Sequence, residues 1–204
     1  MKLYYTETMN PRRACSVAKF LQLPVEYVRV DLAKGEHQSP KFVAMNPNAK
    51  VPVLVDGNLV LWESLAIMVH LATKAGSPLW PAGDPTRVVE VMRWLCWDLC
   101  HFAPHAGAFY FEHLIKPKLL GLEPNQAALD AVTPALHTSA KILDAQLAKH
   151  EFIAGPELSI ADFSAGVLLP WADEIKLPVG DYRNLQRWHE SLMKLPGFGD
   201  PWPS

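Results

Sequence analysis

Over its first 75 positions the chain alternates short extended and helical patterns of apolar residues. Leu3 to Tyr5 is a brief apolar run that predicts a strand, and Pro11 to Leu21 carries helical spacing. From Glu26 to Leu32 the apolar residues alternate, with Val28, Val30 and Leu32 on one face, which predicts a second strand. Together these make a βαβ unit. A polar segment from Lys34 to Pro40 then leads to a short helix around Lys41 to Met45, which Asn46-Pro47-Asn48 breaks. Val51 to Val55 is rich in β-branched residues, and Asp56-Gly57-Asn58 separates it from a second apolar run, Leu59 to Trp62, so a hairpin is predicted. Pro52 stands at the start of the first hairpin strand, where a residue with no N–H to give the ladder is tolerated. Leu65, Ile67, Met68 and Leu71 fit a 3.6-residue period, so Glu63-Ser64 opens a helix and Ser64 lies near an N-terminus that attracts a carboxylate.

Gly76 to Pro85 is dense in Pro and Gly and reads as a linker. After it the pattern is helical throughout: Thr86 to Cys100, an aromatic-rich stretch to Lys116, Gln126 to Lys149, Ser159 to Leu169, and Leu185 to Lys194. The expected division is an α/β domain over 1–75, a linker over 76–86 and an α-helical domain over 87–204. Ser159-Ile160-Ala161-Asp162 has the form of a capping box, a folding role that accounts for both polar residues.

Composition narrows the function classes. Half of the 204 residues are hydrophobic, enough for a substantial core, and the net charge of -2 gives no electrostatic footprint for nucleic acid or an anionic membrane surface. The opening residues lack the long apolar core of a signal peptide, and no stretch is long and uncharged enough to span a bilayer, so the cytoplasm is expected. Three cysteines, Cys15, Cys96 and Cys100, are too few for a disulfide framework, in keeping with a reducing compartment. Cys96 and Cys100 have a metal-compatible spacing, but His101 and His105 straddle Pro104 and cannot extend one regular face, so no metal is expected.

The pattern Lys50-Val51-Pro52-Val53-Leu54-Val55-Asp56-Gly57, ending in Glu63-Ser64-Leu65-Ala66-Ile67, resembles the glutathione-binding half of cytosolic glutathione transferases. The resemblance implies a thioredoxin-like α/β N-terminal domain, an all-α C-terminal domain and a homodimer. It implies a cis Val51-Pro52 bond, with the main chain of Val51 pairing with glutathione as an added strand. It assigns Glu63 to the γ-glutamyl ammonium and Ser64 to the γ-glutamyl carboxylate. His37, with Lys50 at the same end, would meet the glycine carboxylate.

Glutathione chemistry needs a thiolate, and a reference cysteine pKa of about 8.5 leaves only a small ionised fraction at neutral pH, so donors must stabilise the anion. The loop from Thr6 to Asn10 delivers onto the first helix, and Thr8-Met9-Asn10 resembles the T-x-N pattern of the bacterial Nu class, in which a threonine and an asparagine approach the sulfur. Trp94-Leu95-Cys96-Trp97-Asp98-Leu99 is similar to that class's W-L-x-W-Q-M stretch, with Asp98 in place of glutamine. The class also carries an arginine on the long helix, where this chain has Ala131 and Val132. Asn10 before Pro11 also reads as a helix N-cap, a role compatible with donation to sulfur. Cys15 lies too far inside the first helix for the helix dipole to activate it and has no C-x-x-C partner. Trp97, Phe102 and Phe109, within a cluster of aromatics, are candidates for an apolar second-substrate pocket or for the core.

The function these features imply is attack of the glutathione thiolate on a small electrophile, with Thr8 and Asn10 as thiol activators and glutathione as co-substrate. Two alternatives share the scaffold: a glutathione-dependent disulfide reductase, and a non-catalytic glutathione-binding regulatory module.

Overall fold

Strand β1 (Lys2–Tyr5) pairs in parallel with β2 (Glu26–Arg29) and antiparallel with β3 (Val53–Asp56), which turns back into β4 (Leu59–Trp62); the sheet order is β2-β1-β3-β4. Helix α1 (Met9–Phe20) makes the β1-to-β2 crossover. This is a computed structural model that describes residues 1–203. It divides into a first compact unit, Met1–Ala82 together with the C-terminal residues from Leu195, and a second, Gly83–Lys194.

The period-2 pattern decides what each sheet face meets. Leu3 pairs with Leu54, both at 0% exposure, on the face packed by α1 and by α3 (Ser64–Lys74). Tyr4 and Val53 point the other way and join Val30, Phe42 and Met45 in a smaller cluster beneath α2 (Pro40–Val43), with Tyr4 edge-on to Phe42. The β3–β4 loop is Gly57-Asn58, and Gly57 takes the positive φ of 60° that a tight two-residue turn needs. Asp56, just before it, accepts from His70 Nε2 (2.9 Å) and Lys74 Nζ (2.6 Å), tying the hairpin to α3. β2 stops at Arg29, three residues short of the predicted end, because β1 offers no partner beyond the bond from Val30 N to Tyr5 O.

The C-terminal segment corrects the expectation that residues 87–204 form one helical domain. Trp202 stacks on Tyr5, Arg12 donates to the carbonyls of Phe198 and Gly199, and Lys19 pairs with Asp200, so the tail returns to the first unit. Three cationic or aromatic anchors on β1 and α1 thus outweigh its nearness in sequence to the last helix.

The second unit is helical. It comprises α4 (Pro85–Trp97), α5 (Ala103–Tyr110), α6 (Gln126–Leu147), the short α7 (Ile160–Ala165) and α8 (Arg183–Met193). Wide i→i+5 turns span Asp98–Phe102, just ahead of Pro104 in the first turn of α5, and Phe111–Leu120, which contains Pro117; neither proline has an N–H to give the helical ladder. The capping box forms as expected. Asp162, fully buried, accepts from Ser159 N and Oγ, from Ile153 N, and from the indole of Trp188 on α8.

Candidate functional site

The first unit carries a polar cleft of about 110 Å³ lined by Asn10, Asn46, Asn48, Lys50, Val51, Pro52, Glu63 and Ser64. Whole-ligand pockets run to roughly 300–1,000 Å³, so this cleft suits the recognition of one end and one edge of an extended ligand. Its floor comes from the approach to β3. The Val51-Pro52 bond is cis, and β3 pairing begins only at Val53. Neither the N–H nor the C=O of Val51 has a hydrogen-bond partner among the described residues. An unpaired main-chain edge is a template for an added strand.

The opposite wall is the start of α3. Glu63 is its N-cap residue and adopts φ 71°, a conformation that non-glycine residues enter at a cost of order 1–3 kcal/mol and that clusters at functional sites. Glu63 is exposed and its carboxylate has no partner among the described residues. Ser64, 7% exposed, is the first residue of the helix, where N–H groups without intrahelical partners favour an anion. The cleft therefore offers a carboxylate for a cation and, beside it, a helix terminus with a hydroxyl for an anion, together with the main-chain edge at Val51.

At the α1 end the cap assignment needs correcting. Thr8 is the N-cap of α1, with extended backbone (φ -132°, ψ 170°) and its carbonyl accepting from Arg12 N at 3.0 Å. Asn10 therefore lies within the first turn, because the ladder begins a full residue before Asn10 instead of at Pro11. Proline is still tolerated there, since first-turn N–H groups have no intrahelical acceptor. The amide oxygen of Asn10 does serve structure, but it accepts from Arg13 Nη1 (2.6 Å), which leaves Nδ2 as a donor at the cleft. Arg13, 1% exposed, is one residue that sequence reading missed; an arginine beside another in a helix carries no sign of its burial. Thr8 makes no side-chain cap bond and is not part of the cleft lining.

His37 sits in a single 3₁₀ turn, Glu36–Gln38, with its buried Nδ1 unpartnered, and is likewise outside the lining. Asn46 and Asn48 line the cleft although the sequence marked them only as a helix break. Cys15 is fully buried, and burial pushes its thiol up to about 12, so it is no nucleophile at neutral pH. Tyr5 is buried against Trp202, and burial also raises its phenol.

Residues 1–73 match the glutathione S-transferase N-terminal domain and residues 100–196 its C-terminal domain. The chain belongs to the glutathione S-transferase family. It is 34% identical over 196 residues to glutathione S-transferase 3 of Zea mays, covering 93% of this chain and 86% of that one. Its fold matches glutathione S-transferase-I bound with lactoylglutathione, with a TM-score of 0.90 at 27% identity over 98% and 97% of the two chains. Glutathione transferase F7 from Populus trichocarpa superposes with a TM-score of 0.91 at 26% identity, covering 98% and 96%. The architecture is accordingly the thioredoxin-like and helical pair of this family.

In the helical unit the three second-substrate candidates separate. Phe102 and Phe109 are 1% and 6% exposed and belong to the core, whereas Trp97 lines an open groove of about 450 Å³ between α4 and α6. Trp97 stacks on Phe102 at 6.0 Å and meets Trp94 edge-on at 5.1 Å. Asp98 is buried and accepts from Ser164 Oγ at 2.6 Å, tying the first wide turn to α7.

Proposed function

We infer that this protein is a glutathione transferase that conjugates glutathione to small electrophiles. The observation that carries the reading is the unpaired main chain of Val51, in one cleft with Glu63 and Ser64. An extended tripeptide fits that arrangement: its cysteinyl unit pairs with Val51, its γ-glutamyl ammonium meets Glu63, and its γ-glutamyl carboxylate takes the Ser64 hydroxyl and the α3 N-terminus. Lys50 and His37 supply donors for the glycine carboxylate.

Thr8 and the Nδ2 of Asn10 are the donors for the sulfur. They stabilise the thiolate as its proton leaves to solvent, the sulfur then bonds to the electrophilic carbon, and the displaced group departs with its electron pair. The T-x-N pattern supports kinship with the bacterial Nu class, and a structural relative that holds lactoylglutathione supports a glutathione-type ligand. Of the three aromatic candidates, Trp97, which lines the groove beside α4 and α6, remains ours for the apolar side of the second-substrate site, with Phe102 and Phe109 packed in the core behind it. The working form we propose is a cytoplasmic homodimer, with no metal. A disulfide reductase acting through the protein's own thiol is less well supported, since Cys15 is buried and held protonated.

The test is conjugation of glutathione to 1-chloro-2,4-dinitrobenzene, followed by the absorbance of the thioether product. Turnover above the uncatalysed rate supports the reading. Saturable glutathione binding without turnover would favour the regulatory module instead.

A further inference from the structure

The loop between α2 and β3 is organised around one buried side chain. Asn46 is 3% exposed, and its backbone N–H donates to the carbonyl of Phe42, a core residue of α2. Both ends of its amide are engaged. Oδ1 accepts from the backbone N and the Nδ2 of Asn48, each at 3.0 Å, and Nδ2 donates to the carbonyl oxygen of Lys50 at 2.6 Å. The carbonyl of Asn46 accepts from Ala49 N at 2.9 Å, and Ala49 is held at φ 51° to close the turn.

The bond to Lys50 has a geometric consequence. The Lys50 C=O and the Val51 N–H belong to one trans peptide unit, in which the two groups point in opposite directions across a rigid plane. Fixing the oxygen therefore fixes the direction of the N–H. That N–H is unpaired among the described residues and belongs to a residue lining the cleft. Left free, the peptide plane would turn about the two soft torsions flanking it, and the donor direction would be averaged.

We propose that Asn46 is a positioning residue of the glutathione site: by gripping the Lys50 carbonyl it aims the Val51 N–H at the cysteinyl carbonyl of the bound tripeptide. The inference rests on the glutathione reading of the cleft. It makes affinity for glutathione depend on a side chain that need not touch the reacting atoms, and it leaves Thr8 and Asn10 undisturbed.

Asn46→Asp is the informative variant. It keeps an acceptor for Asn48 but sets a carboxylate oxygen against the Lys50 carbonyl in place of the donor. Calorimetry with glutathione should show the Kd rising about tenfold or more, within the worth of one hydrogen bond. At saturating glutathione, kcat should fall by less than about threefold, because the thiol donors are intact. A merely structural role would lower the melting temperature without that split. A folded variant with unchanged Kd would overturn the proposal.

Should the variant fail to fold, amide exchange in the parent protein decides. Saturating glutathione should slow exchange at Val51 at least about tenfold relative to the free protein, as expected for a newly bonded donor. Unchanged exchange at Val51 with glutathione bound would overturn the proposal, and with it the pairing of the cysteinyl unit to Val51, while glutathione binding and conjugation themselves would stand. Failure of the parent to bind glutathione at all would overturn both.

Discussion

Arg13 Nη1 donates to Asn10 Oδ1 at 2.6 Å, and this bond fixes which end of the Asn10 amide faces the cleft. With the oxygen taken, only the NH2 end can address a sulfur. Asn10→Asp retains the bond to Arg13 and replaces the donor by a negative charge. It should therefore raise the pKa of bound glutathione, each unit representing about 1.4 kcal/mol of lost thiolate preference, and slow conjugation at neutral pH. Thiolate absorbance against pH, compared between parent and variant, checks this; an unshifted titration would remove Asn10 from the mechanism. Thr8→Val should act in the same direction.

Ser64→Ala removes a hydroxyl from the start of α3 without touching the helix itself. Glutathione affinity should weaken by the worth of a charge-assisted hydrogen bond, about 1.5–3 kcal/mol, with little change in the unfolding temperature. Calorimetric titration reads it directly, and equal affinity would take the γ-glutamyl carboxylate away from Ser64.

Cys15 supplies a contrast among the thiols. Because burial holds it protonated up to about 12 while Cys96 and Cys100 are exposed, an aromatic disulfide reagent at pH 8 should label Cys96 and Cys100 in the folded protein and Cys15 only after unfolding. Cys15→Ala should leave conjugation nearly intact. Loss of activity in that variant would point to a cysteine-dependent thiol exchange enzyme instead.

Asp162 ties the helical unit together through its four donors, and an amide there would turn an NH2 group toward two of them. Asp162→Asn should cost about 3–5 kcal/mol at neutral pH, as breaking a buried charged network does. Burial raises the folded-state pKa from 3.8 to about 6, ahead of the donors that lower it. The folded protein thus binds this proton more tightly than the unfolded chain, so the Asp162 contribution is fully present below pH 4 and declines as pH rises through about 6. The stability gap between parent and variant, measured by urea unfolding, should accordingly widen as pH is lowered from 7 toward 4.

Much of the first unit was legible because its signals are local. The hairpin follows from β-branched runs around Gly57, and Glu63-Ser64 opens α3 because helical period begins just after it. What stayed hidden depends on distant burial. Asn46-Pro47-Asn48 is a break signal in any sequence, and nothing local announces that Asn46 will be 3% exposed and bonded to Lys50. Arg13 has the character of a surface helical residue until its contacts are known. Asn10 was assigned the cap because Asn-Pro favours a helix start, whereas Thr8, two residues earlier, takes the extended conformation. The return of the tail to β1 and α1 rests on Trp202 and Phe198 finding partners more than 180 positions away, as the Arg12 bond to Phe198 shows.

The central claim is that the cleft binds glutathione and ionises its thiol. The most direct measurement is ultraviolet difference absorbance of the thiolate as glutathione is titrated into the protein across pH. The account predicts a saturable thiolate band whose apparent pKa lies well below the free thiol's, with the shift reduced in Asn10→Asp. Saturation with no thiolate at neutral pH, or no saturable binding at all, would contradict it.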